Sequence, residues 1–279
     1  MALVRAFLAA VLLALLPSAA GAIESWFAPS AKLWPRWEAH DPAATRAIDH
    51  GPWQRFLSTH VSQGADGIAR VAYGKVGAED RAALDAYIRA LVAEPVGRLS
   101  RAEQRAYWIN LYNAATVRLI LERYPVASIR DINISPGLFS SGPWGRTLVT
   151  VEGEALSLND IEHRILRPIW KDPRIHYALN CASLGCPDLQ TEAFTAANAE
   201  ALLDRAAVAF VNHPRGARVD GGRLRVSSIY EWFQEDFGGS EAGVIAHLRR
   251  YAAGPLAQAL AGVRGIDSHA YDWALNDAR

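Results

Sequence analysis

The chain has 279 residues, and its 29 lysines and arginines are balanced by 29 aspartates and glutamates. A neutral chain has no general electrostatic pull toward nucleic acid or an anionic membrane, so neither is expected as a partner. The expected partner is a small-molecule or peptide ligand, and the length fits one large domain with a full core.

The first residues have the pattern of an export signal. Arg5 precedes an apolar run over residues 6–16, Pro17 breaks it, and Ala20-Gly-Ala22 fits a small-x-small cleavage site. The run is short of the roughly 20 residues that a spanning helix needs. The expectation is a signal peptide over 1–22, an exported, periplasmic or secreted chain, and no stable membrane insertion after cleavage. Such a compartment is oxidising and permits a disulfide.

Residues 23–50 carry Trp26, Trp34 and Trp37 among Pro29, Pro35 and Pro42. Proline forbids a long regular element, and solvated linkers are poor in aromatics. This reads as an N-terminal arm packed on a domain spanning 51–279. A short helix is expected over 52–60, a brief strand at 71–73, and a helix over 78–93 with Leu84, Ile88 and Leu91 at helical spacing.

The strongest helix is expected from Ser100 to about Tyr124. Ser100-Arg-Ala-Glu103 is a capping box and Pro125 stops the helix. Its broad apolar face makes it the central helix. Asn110 and Asn113 lie one turn apart on it, although asparagine disfavours helix interiors. They either tie neighbouring loops to the helix or serve chemistry.

Residues 126–134 read as a short extended piece, and 135–145 as a loop containing Phe139 and Trp144. A hairpin is expected over 147–158. Asn159 is expected to cap the next helix, which runs to about Trp170. His163 and Arg167, four apart on it, either orient an anion or lie on a solvated face. Residues 174–180 alternate as a strand, with His176 on one side, and Cys181 and Cys186 follow it. Beyond them come a helix over 192–212 and a hairpin around Asp220-Gly-Gly222. Next are a capping box at Ser228-Ile-Tyr-Glu231, a helix after Ser240, and an edge strand at 271–275. The fold class is α+β, a central helix packed on a small, mostly antiparallel sheet with surrounding helices.

Chemistry points to Cys181. A thiol at the end of an element is activated when a histidine lowers its pKa, and His176 and His163 are the nearest along the chain. Asn113 would then polarise or orient the substrate, while Arg167 and Asn110 would bind it. A structural disulfide between Cys181 and Cys186 competes with this reading. So do a zinc site from His163, His176, Cys181 and Cys186, and an inert buried thiol. The sequence holds no P-loop, Gly-x-Ser-x-Gly or His-Glu-x-x-His motif, and no cofactor is expected.

Several stretches in order carry a resemblance: Tyr107-Trp-Ile-Asn-Leu-Tyr-Asn-Ala114, Leu156-Ser-Leu-Asn-Asp-Ile-Glu-His163 with Leu166 and Arg167, and Arg174-Ile-His-Tyr-Ala-Leu-Asn-Cys-Ala-Ser-Leu-Gly-Cys-Pro187. Val226-Ser-Ser-Ile-Tyr-Glu-Trp-Phe233 with Asp236-Phe-Gly238 follows. Over roughly residues 50–275 the chain resembles the domain-of-unknown-function 547 family. The resemblance implies that both cysteines, His163, His176 and the two asparagines belong to one pattern, and it implies no particular reaction. A central helix followed by a strand presenting a histidine is also similar to the papain and transglutaminase-like layout, except that no cysteine opens the helix. The functional expectation is a thiol-dependent hydrolase or acyl transferase; the alternatives are a cell-envelope binding module with a Cys181–Cys186 disulfide, or a zinc-binding protein.

Overall fold

A computed structural model describes residues 29–136 and 142–278. The expected signal segment, Trp26 and Phe139 lie outside the described residues. The fold is α+β, organised around one helix, and among the described residues no helix is long and apolar enough to cross a membrane.

The N-terminal part consists of α1 (Gly51–His60), a hairpin of β1 (Val61–Gln63) and β2 (Ala69–Val71), and α2 (Ala78–Val92). Of these, α2 packs on α3 (Arg101–Arg123), and α1 packs in turn on α2 and β1. A helix that is apolar on most of its circumference has to be buried. Accordingly Trp108, Ile109, Leu111, Ala114 and Ala115 are all shielded from solvent. Ser100 caps α3 by accepting from the Glu103 amide. Glu103 does not reach back, as a capping box would require; its carboxylate takes the Ile48 amide instead and ties the arm to the helix. Trp37 of the arm packs edge-on against Trp108.

The second half adds β3 (Thr147–Val151) and β4 (Glu154–Ser157), a π-helix (Asp160–Leu166), α4 (Arg167–Trp170), α5 (Ile175–Ala178) and α6 (Ala199–Asn212). Next come β5 (Ala217–Asp220), β6 (Arg223–Ser227), α7 (Ile229–Trp232), α8 (Glu241–Tyr251), α9 (Gly254–Leu260) and β7 (Ser268–Ala270). Among the described residues the strands form three small sheets, and β7 joins β6 in parallel. Both expected hairpins are present. Each turns on two residues of positive φ, Glu152-Gly153 and Gly221-Gly222, the conformation that matches strand twist.

Local readings fail where tertiary contacts decide. Residues 174–180 contain a helical turn rather than a strand. Residues 175–180 are buried on every side, so their apolar alternation marks no solvent face. The carboxylate of Asp172 accepts the Arg174 amide and starts the turn. Asn159 is already helical; the cap is Ser157, whose hydroxyl takes the Asp160 amide while Asp160 takes the Ser157 amide. At the start of α7 the Ile229 amide goes to Ser227, and the Ser228 hydroxyl goes to His269. The expected extended piece at 126–134 contains a 3-10 turn, Ile129–Asp131, and the terminal strand is Ser268–Ala270. The helix expected from 192 begins at Ala199, because 192–198 are a turn held by Asn198 and Asn110.

Asn110 donates to the Phe194 carbonyl and accepts its amide, wholly out of solvent. Its side chain is fully spent on this tie, so it does not face a substrate. Removing it strands two buried backbone groups. Asn110→Ala should therefore cost about 1–3 kcal/mol, read as a lower urea midpoint at unchanged m. An unchanged midpoint would show that the tie bears no weight.

Candidate active site

The site is built on the turn that carries the two cysteines. At its entry Asn113 of α3 donates to the Ala178 carbonyl and accepts the Asn180 amide, which fixes the exit from α5. Asn180 continues the tie. Its carbonyl oxygen takes the Ala182 amide, an Asx turn that supports the left-handed Ala182 at φ 59°, and its amide nitrogen donates to the Pro187 carbonyl. Asn276 donates to the same Asn180 oxygen and accepts the Tyr73 hydroxyl. A buried polar spine therefore runs from the central helix to the C-terminal segment.

That segment lies along the turn. Leu184 and Gly185 donate to the Ala274 and Asp272 carbonyls, and the Asn276 amide donates to the Ala182 carbonyl. A Cβ on Gly185 would stand 2.6 Å from the Asp272 amide nitrogen, so only glycine admits this approach. The approach delivers Tyr271 to Cys181.

Cys181 Sγ lies 3.0 Å from Cys186 Sγ, 3.0 Å from the Tyr271 hydroxyl and 3.4 Å from Ser183 Oγ. Ser183 donates to Tyr271, and the Cys181 amide donates to Cys186 Sγ at 2.9 Å. Both residues are free thiols, so the structure holds no Cys181–Cys186 bridge. Cys181 is half-buried and Cys186 is buried. The Cys186 hydrogen bond holds the Cys181 thiol below its usual range; burial opposes this, Ser183 and Tyr271 assist, and Glu162 opposes. Burial pushes Cys186 well up, and its bond to Cys181 adds to the rise. Trp144, Trp232 and Trp273 form a partly buried aromatic group around Tyr271, with ring centroids 4.6–5.6 Å apart in successive pairs.

The histidines form a second cluster. Across the π-helix His163 and Arg167 do meet, with Arg167 donating to His163 Nδ1 at 3.0 Å. An Nδ1 that accepts leaves the ring neutral, with Nε2–H directed toward Glu162 at 4.0 Å. His176 places Nε2 2.7 Å from Asp236 and Nδ1 3.5 Å from Glu162. Phe233 stacks on its ring at 4.5 Å. Arg167 also holds Asp236, Glu235 and the Pro29 carbonyl. Its side chain is 2% exposed, so it has no free donor directed at a substrate carboxylate. Nor is it on a solvated face.

The structure thus joins Cys181 to Cys186, and His163 to Arg167, Asp236 and His176, but pairs neither imidazole with the thiol. Both nitrogens of His176 face carboxylates and His163 is committed to Arg167, so an imidazole general base for Cys181 is not formed. Asn113 likewise gives its amide to backbone groups, so it orients the turn. Like its hydrogen-bond partner Tyr112 of α3, Glu162 interacts with both clusters. Burial alone would raise its pKa, but His163, His176 and Arg167 draw it down to about 2, so it remains an anion. Among the described residues no three His, Cys, Asp or Glu side chains are arranged to hold a metal ion, so the four proposed zinc ligands do not converge.

Sequence reasoning missed Glu162, Asp236, Tyr271, Ser183 and Asn276 as members of these clusters. Glu162 sits between motif residues and invited attention. Tyr271 lies 90 residues from Cys181, with no local signal to connect them.

A family model described as "Protein of unknown function, DUF547" matches residues 96–211. That span contains α3, the π-helix, both cysteines and all of α6 but its last residue. No curated protein matches the chain, and no solved structure does. The papain-like comparison is without support, since a helical turn rather than a strand presents His176.

The two imidazoles should titrate apart. Burial drives His163 down to about 4. Burial also opposes charge on His176, but Asp236 and Glu162 more than offset it and raise its pKa above 6.5. The signs for stability are opposite. The His176 contribution is complete below pH 6.5 and is lost as pH rises through its folded value, whereas burying neutral His163 costs stability as pH falls from 6.5 toward 4. Imidazole NMR should show a ring charged above pH 6.5 that is lost in His176→Gln, and, among the rings neutral down to about pH 4, which include His50 and His247, one that is lost in His163→Gln. Titration of the His163 and His176 rings together near 6.5 would contradict this.

Proposed function

We propose, starting from the match of residues 96–211 to the DUF547 family model, that the chain is a thiol-dependent hydrolase or acyl transferase with Cys181 as its nucleophile. The observation that carries the reading is the setting of Cys181 Sγ: half-buried, hydrogen-bonded to a second thiol and two hydroxyls, and held toward its thiolate. The thiolate is the reactive form of cysteine.

In this reading activation comes from hydrogen bonds, not from an imidazole. The Cys181 thiolate attacks an acyl carbon, and the bond from that carbon to the leaving group breaks. The leaving group takes a proton from solvent, and water or a second acceptor then attacks the thioester and frees Cys181. Tyr271, kept protonated by burial, and Ser183 behind it supply donors to charge that develops beside the sulfur. The tryptophans around Tyr271 offer an apolar surface to the substrate. Glu162 keeps His176 charged and His163 oriented and acts as a positioning residue. An exported location and a leaving signal segment belong to the same proposal, supported by the amino-terminal pattern.

Alkylation by iodoacetamide tests this. Cys181 should be modified faster than an ordinary thiol at neutral pH, and Cys181→Ser should lose the modification while keeping its circular dichroism. Tyr271→Phe removes one donor to the sulfur. It should slow alkylation at neutral pH roughly three- to tenfold, since a hydrogen bond to a charged group is worth about 1.5–3 kcal/mol and a more basic thiolate recovers part of the loss. A Cys181 that alkylates with the midpoint of a free thiol, about 8.5, would overturn the proposal.

A further inference from the structure

In acyl transfer the second cysteine would only hydrogen-bond Cys181, yet it is held as close to the Cys181 sulfur as the Tyr271 hydroxyl, at 3.0 Å. We propose that Cys181 and Cys186 form a dithiol that reduces an organic disulfide by thiol–disulfide exchange. The proposal rests on the reading of Cys181 as a nucleophile but not on acyl chemistry.

Three observations converge on it. The first is division of labour. Cys181 is half-buried beside a partly exposed aromatic surface, while Cys186 is 3% exposed, so an incoming disulfide reaches only Cys181. The second is distance. The sulfurs are 3.0 Å apart and need to close by about 1 Å to reach a disulfide length of ~2.05 Å. The turn that sets this distance is clasped by Asn180 and by the 272–276 backbone, so the pair is organised before substrate arrives. The third is the order of activation. Cys186 is held protonated by burial and then by its hydrogen bond to, and the charge of, Cys181. Once Cys181 carries a substrate sulfur it has no charge. The Cys181 amide, 2.9 Å from Cys186 Sγ, then favours the second thiolate.

The steps balance. Cys181 thiolate attacks one sulfur of the substrate, the S–S bond breaks, and the first product leaves as a thiolate. Cys186 then attacks Cys181 Sγ, the mixed disulfide breaks, and its proton passes to the second departing thiolate. Two electrons move from the dithiol to the substrate, which becomes two thiols, and a Cys181–Cys186 disulfide is left. The substrate class is a disulfide with apolar flanks, for which the Trp232, Trp273 and Tyr271 rings supply the surface.

The test uses the full chain, reduced and freed of reductant, with one equivalent of dithiobis(nitrobenzoate). Exchange predicts two equivalents of thionitrobenzoate released, no adduct, and a protein mass lower by two hydrogens. Cys186→Ser should release one equivalent and keep a stable adduct on Cys181. If the unmutated protein stops at one equivalent with a lasting adduct, or carries an adduct on each cysteine, the dithiol proposal is overturned while the nucleophile survives. If Cys181 does not react, both readings fall together.

Discussion

The structure depends on a buried chain of amide side chains. Asn113 on α3, Asn180 at the exit of α5 and Asn276 near the C-terminus are each 3% exposed or less, and they connect in series to the Tyr73 hydroxyl. Buried polar groups without partners cost free energy, whereas a network with all members satisfied specifies one arrangement. Here the network joins segments far apart in sequence: the central helix, the cysteine turn, the C-terminal segment and the turn that follows β2. Those contacts set where Cys181, Cys186 and Tyr271 stand relative to one another. The side chains that do the tying are thus distinct from those with chemistry.

The histidine cluster is a second constraint of a different kind. Arg167 and His176 face Asp236 and Glu162 in a largely shielded volume, with Glu235 exposed at its edge. Taking such charges out of water is costly, and pairing mainly recovers that cost. What the arrangement secures is position. It anchors the 233–237 segment to the π-helix and α5, with Phe233 between Arg167 and His176. A π-helical turn places His163 and Arg167 on one line and presents Glu162 toward the thiol side, and such segments often occur at functional sites. Charge and thiol are coupled through Glu162, which keeps an anion near Cys181 and so opposes its ionisation. The donors on the sulfur outweigh that opposition.

The sequence made the α+β class legible, because Leu84, Ile88 and Leu91 repeat at helical spacing and the glycine-containing turns at 152–153 and 221–222 mark hairpins. The buried asparagines of α3 stood out for disobeying helix propensity, and both proved to be ties. Cys181 and Cys186 were legible as a pair. What failed was any inference that needed the third dimension. The 174–180 alternation looked like a strand because a segment buried on all sides has no polar face to betray its period. His176 looked available to Cys181 because it is five residues away, yet its ring turns to Asp236, 60 residues on. Tyr271 reaches the sulfur only because the C-terminal segment returns along the turn, which nothing near Tyr271 in the sequence announces.

If the asparagine spine is what tunes the thiol, its far end must matter to a sulfur it does not touch. Asn276 meets Asn180, Tyr73 and backbone groups but neither cysteine. The decisive measurement is the thiolate ultraviolet absorbance of Cys181 against pH in the folded Asn276→Ala variant. An upward move of the ionisation relative to the unmutated protein is the predicted result, and an unchanged titration would contradict it.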